Sequence, residues 1–204
     1  MRQLPVLLSV SALLMGAFAA NAGIVYNSLP QTSSGSDSIA SLGPLYDSFS
    51  TGGDSGLISS VMFLLQGTST DGGIITASLY ADNSNTVGGF ISALGTISDA
   101  SLTGALSVVN LPLSSNPSLS SGTRYWIGLS TAGSASWSYT MDTSGVGVNG
   151  EFFQNQHGTF PNNPGGGYQM EVILGASVPE PSPFVPGTLA LAALGVFARR
   201  RRRA

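Results

Sequence analysis

Between Gly23 and Ser177 the chain supplies few groups able to do chemistry: one histidine, His157, one arginine, Arg124, no lysine and no cysteine. That inventory excludes thiol catalysis and a typical zinc site. Serines and aspartates abound, so His157 could enter a Ser-His-Asp arrangement, yet no G-x-S-x-G turn marks a nucleophile. Its neighbours Gln156 and Gly158 favour a polar loop instead. A glycosidase needs two opposed carboxylates. Asp142, Glu151 and Glu171 fall in or beside expected strands, but their spacing selects no pair. Asp82-Asn83-Ser84-Asn85 offers oxygen ligands of the calcium type without the loop pattern and terminal glutamate of a calcium motif, and a turn is the plainer reading. The expectation is a chain without catalytic residues, metal or cofactor.

Aromatic residues carry a stronger signal. Trp137 and Tyr139 share a strand face, and Phe152, Phe153, His157, Phe160 and Tyr168 follow in the glycine-rich final third. Trp126, on the face opposite Tyr125 and Ile127, could join them. Flat π faces cover the apolar side of a sugar ring while amides such as Asn155 and Gln156 bind hydroxyls. Trp126, Trp137 and Tyr139 are therefore the candidate ligand platform, and the competing reading places these rings in the core or in cross-strand pairs.

The elements that must position these residues read as strands. Ile75, Ala77, Leu79 and Ala81 alternate with Thr76, Ser78 and Tyr80, and Tyr125, Ile127 and Leu129 alternate with Arg124, Trp126 and Gly128. Further strands are expected at Leu57–Gln66, Ala93–Ser98, Ser107–Leu111, Ala135–Met141, Glu151–Gln154 and Tyr168–Leu174. Asp71-Gly72-Gly73 and Asn149-Gly150 supply the positive φ of tight turns and predict hairpins. Short strands without intervening helices predict an all-β antiparallel β-sandwich, jelly-roll or immunoglobulin-like.

Charge narrows the partners. One arginine stands against nine acids between residues 23 and 177, a formal charge of −8, whereas the whole chain carries −3. Such a surface repels polyphosphates, so nucleic acid is not an expected partner. With no cysteine the fold must stand on packing and sheet hydrogen bonds.

Both ends read as targeting segments. Residues 1–22 combine Arg2, an apolar stretch and Ala20-Asn21-Ala22, the three parts of a signal peptide, with cleavage expected after Ala22. Residues 178–204 hold Pro179-Glu180-Pro181, an uncharged apolar helix over 184–198 and the cluster Arg199, Arg200, Arg201, Arg202 and Arg203. Prolines stiffen the spacer, and the arginines hold their end in the cytoplasm, which leaves domain 23–177 outside. This tail resembles the PEP-CTERM sorting signal of Gram-negative bacteria. The resemblance implies transient membrane insertion through the helix, recognition and cleavage by an exosortase, and delivery to the cell envelope, surface or extracellular matrix.

The segments Ser48-Phe49-Ser50, Ser78-Leu79-Tyr80-Ala81-Asp82, Leu94-Gly95-Thr96-Ile97, Arg124-Tyr125-Trp126-Ile127-Gly128-Leu129 and Tyr168-Gln169-Met170 resemble an extracellular domain of the choice-of-anchor type. That resemblance supports fold and location alone. Together these readings lead to the expectation of an exported, non-enzymatic surface module that associates with extracellular polysaccharide or other matrix components. The alternatives are a secreted hydrolase with weak motifs and a purely structural matrix protein.

Overall fold

A computed structural model describes residues 23–67 and 72–175. Ala20, Ala22, Pro179, Glu180, Pro181, the apolar run 184–198 and Arg199 to Arg203 lie outside these residues. Within them no helix is long and apolar enough to cross a membrane.

In chain order the elements are β1 (Gly23–Asn27), β2 (Gly35–Ser38), α1 (Ile39–Leu42), β3 (Leu45–Ser50), β4 (Gly56–Gly67), β5 (Ile74–Asp82), β6 (Val87–Ser98), β7 (Ser107–Asn110) and β8 (Ser118–Leu119). They continue as β9 (Arg124–Ser130), β10 (Ala135–Thr140), β11 (Phe152–Asn155), β12 (Gly158–Pro161), α2 (Asn162–Gly165), β13 (Gly167–Tyr168) and β14 (Met170–Gly175). All pairings between these strands are antiparallel. One sheet runs β1-β14-β4-β10-β13, with β2 on β10 and β7 and β8 on β4; the other runs β12-β11-β3-β9-β5-β6. The expected all-β architecture is observed. Eight of the strands pair in nested fashion, β5 with β6, β4 with β7, β3 with β9 and β2 with β10.

The sheets share one core. Ile58, Val61, Phe63, Leu65, Trp137, Met170 and Val172 come from the first and Leu45, Phe49, Ile75, Leu79, Ile127 and Leu129 from the second. Central strand β9 lies between β3 and β5 and turns Tyr125, Ile127 and Leu129 inward, as the alternation predicts.

The hairpin expectation needs correction at both glycine turns. Gly72 and Gly150 do adopt positive φ, +76° and +89°, but β4 and β5 lie in different sheets, as do β10 and β11. These connections cross between sheets, because a local φ preference turns the chain without choosing the next strand's partner. A genuine two-residue hairpin joins β5 to β6 through Ser84 and Asn85, whose φ of 53° and 66° suit that turn. The expected strand Tyr168–Leu174 is divided at Gln169. Its backbone N–H donates to Ser138 O on β10 at 2.7 Å and its carbonyl accepts from Leu64 N–H on β4 at 3.1 Å. The chain thereby passes from one neighbour to the other, which sets Tyr168 on the β10 side.

Candidate functional site

A cleft of about 340 Å3 opens where the β11–β12 hairpin and the α2 turn meet the β2 and β13 edges of the first sheet. Its walls are aromatic: Tyr139 from β10, Phe153 from β11, Phe160 from β12 and Tyr168 from β13. The volume lies in the range of small-molecule sites. These rings continue a ladder that starts in the core. Phe63 meets Trp137 edge-on at 5.4 Å between centroids, Trp137 stacks on Tyr168 at 4.8 Å, Tyr168 meets Phe153 edge-on at 5.7 Å, and Phe153 stacks on Phe160 at 5.4 Å. Offset stacked and edge-on pairs are the arrangements that ring quadrupoles favour. The outermost rings are thus held by buried ones, and Phe160 stands 37% exposed at the mouth.

Glycines let the walls close. A Cβ at Gly35, opposite Tyr139 in the β2–β10 ladder, would lie 2.5 Å from the Tyr139 hydroxyl. Gly166 takes φ +90°, a conformation that L side chains rarely adopt.

Polar groups sit among the rings. Asp37 opposes Trp137 in register, and its Oδ2 accepts a 2.7 Å hydrogen bond from the Tyr168 hydroxyl. Burial, then the hydrogen bond to Asp37, pushes the Tyr168 phenol well above its ordinary range, so it stays a neutral donor. Asn155 and the exposed imidazole of His157 complete the polar lining, and Met141 borders it. The His157 N–H donates to Asn155 Oδ1 at 2.9 Å, a side-chain-capped turn. Apolar faces with a few convergent polar groups are what a sugar-sized ligand requires.

No family model, curated protein or solved structure matches this chain. The geometry of the cleft redraws the expected platform of Trp126, Trp137 and Tyr139. Tyr139 lines the cleft. Trp137 does not, because its ring is buried against Tyr168 and its Nε1 donates to Gln169 O at 2.9 Å.

Trp126 faces away from Ile127 as expected, yet it too is fully buried. Its Nε1 donates to Asp82 Oδ1 at 2.8 Å. Over the same outer face, Gln154 Oε1 accepts from Val87 N–H at 3.3 Å and Thr159 Oγ1 at 2.7 Å, which ties β11 and the β12 strand to the start of β6. A curled sheet roofs its own outer face, so strand alternation alone could not reveal this burial. Asp37, Met141, Gly165 and Gly166 were missed as site residues because nothing in the sequence near them shows that β2 and α2 converge on the rings.

The acids singled out for hydrolysis have separate partners. Asp142 is exposed, and hydrogen bonds from Ser144 hold its carboxyl below the usual range. Glu171 accepts from Asn27 Nδ2 at 2.5 Å. Glu151 is buried and pairs with Arg124 Nε at 2.8 Å, while Ser48 Oγ donates to it at 2.5 Å. The remaining Arg124 nitrogens serve Asn85 Oδ1 and Gly150 O, and the guanidinium lies 5.0 Å over the Phe152 ring. A second cleft of about 500 Å3 borders this ion pair, but its cation is committed and it has no aromatic wall. The oxygens of Asp82 and Asn85 are engaged by Trp126 and Arg124, so that segment serves as a turn and tie point.

One further group is unusual. Asp47 is fully buried on β3, with Tyr26 Oη at 3.4 Å and Asn162 Nδ2 at 3.2 Å donating to Oδ1. Burial raises its carboxyl well above the ordinary range, with the nearby Glu151 charge adding to the shift.

Proposed function

We propose that this chain is an exported, non-enzymatic surface module that holds extracellular polysaccharide in the aromatic cleft of its β domain. The observation that carries this reading is the ladder from Phe63 through Trp137 and Tyr168 to Phe153 and Phe160, which holds open rings at the mouth of a sugar-sized cleft. Stacking on rigid aromatics demands little ordering from the protein, and Asn155, Tyr139 and Asp37 offer partners to hydroxyls. The domain is a jelly roll in this account: the nested pairing of β2 with β10, β3 with β9, β4 with β7 and β5 with β6 is that of a long hairpin rolled into two sheets.

Export rests on the leader ending at Ala22, and sorting by an exosortase-type enzyme on Pro179-Glu180-Pro181 and Arg199 to Arg203. Binding rather than hydrolysis fits the engagement of Glu151 by Arg124 and Ser48 and of Glu171 by Asn27.

Two experiments test the two halves. In native gels containing a soluble neutral polysaccharide, the wild-type domain should be retarded, and Phe160→Ala and Tyr139→Ala should each migrate freely while keeping their circular dichroism. Unretarded wild type across a panel of neutral polysaccharides refutes the glycan reading. For sorting, intact-mass analysis of envelope material should find a species that begins at Gly23 and lacks the arginine cluster; a chain retaining both ends refutes it.

A further inference from the structure

We propose that Asp37 makes the cleft selective by charge, so that it takes a glycan bearing a free amino sugar in preference to a neutral one and rejects uronate-bearing chains. This rests on the glycan reading above and adds to it the chemical class of the ligand. Asp37 is half-buried in the wall, set there by its pairing with Trp137 across β2 and β10. The Tyr168 hydroxyl fixes the carboxylate by donating to Oδ2 at 2.7 Å, and among the described residues no other hydrogen bond or ion pair reaches that carboxylate. One oxygen is thereby left to face an incoming group.

Among the described residues no arginine or lysine borders the cleft, and Arg124, the domain's cation, is bound to Glu151 beside the other cleft. Among the described residues His157, at the rim, is the one basic side chain in the lining. Around the site the domain bears a formal charge of −8, which repels anions at a distance and attracts cations. A carboxylate on a sugar ring would have to lose water beside Asp37 with no arginine or lysine to meet it, whereas an ammonium there gains a charge-assisted hydrogen bond. The stacked rings contribute equally to all three ligand types, so Asp37 determines specificity while the rings supply affinity.

The test is calorimetric titration of the folded 23–177 domain, near pH 6, with matched oligomers of glucose, glucosamine and glucuronic acid. Wild type should bind the glucosamine oligomer about threefold to tenfold more tightly than the glucose oligomer, with the glucuronic acid oligomer weakest. Asp37→Asn, which keeps an acceptor for Tyr168, should bring the three affinities together without weakening the glucose oligomer. His157→Gln, which removes the rim imidazole, should preserve or widen the amine preference. Added salt should narrow the wild-type differences, a readout that does not depend on how any variant folds. Equal binding of the glucose and glucosamine oligomers by wild type, or an amine preference that survives in Asp37→Asn, overturns this inference and leaves the glycan reading standing. Absence of binding to all three overturns both.

Discussion

Asp47 is fully buried, and the consequence is a pH dependence of stability. Its folded pKa is raised, chiefly by burial, so the native chain keeps a proton that the unfolded chain loses near pH 4. Stability falls with pH wherever the unfolded state binds fewer protons. The stabilisation is complete below about pH 4 and is lost as pH climbs from there through the raised folded value. Thermal melts from about pH 4 to about pH 8 should show the wild type losing melting temperature relative to Asp47→Asn. Parallel curves would mean that Asp47 ionises freely in the fold. Arg124 makes the complementary case: Arg124→Ala leaves Glu151 buried without its cation and should destabilise by about 3 kcal/mol in denaturant melts, the low end for a stranded charge because the arginine is partly exposed. At this scale the sequence was informative about type and poor about exposure. It offered aromatics as candidate ligand rings, and of these Trp137 is buried whereas Phe160 is open.

Strand β9 shows what alternation can and cannot reveal. Its inward residues Tyr125, Ile127 and Leu129 were legible, and Ile127→Ala should cost about 2–5 kcal/mol as a buried aliphatic truncation. Trp126 points the other way, where an open sheet face would make its loss cheap. Trp126 is nevertheless fully buried, so Trp126→Ala is costly as well, about 3–5 kcal/mol. Denaturant melts of the pair check this, and a loss under about 1 kcal/mol for Trp126→Ala would mean that the ring is exposed in solution. Strands β4, β5, β9 and β10 were readable because each buries alternate apolar residues. Strand β2, Gly35 to Ser38, has no apolar residue and is held by its ladder to β10, so nothing in its sequence announced it. The same is true of the site: Asp37 reaches the cleft through that ladder, a long-range pairing that local patterns do not encode.

Across the whole molecule, the aromatic ladder unites the two sheets and the function proposed for them. It begins at Phe63 in the core, crosses from the first sheet to the second between Tyr168 and Phe153, and ends at Phe160 at the cleft mouth. Stability and binding therefore share residues at its inner end and separate at its outer end. Phe160→Ala should leave the melting temperature within a few degrees of wild type, whereas Trp137→Ala should lower it strongly. The most direct test of the account is a chemical-shift titration of the labelled 23–177 domain with a glucosamine oligomer, following the ring resonances of Tyr139, Phe153, Phe160 and Tyr168. The account predicts saturable shifts concentrated on those four rings and on Asp37, with Trp126 and Arg124 unmoved. Shifts centred on the Arg124–Glu151 cleft, or none at any ring, would contradict it.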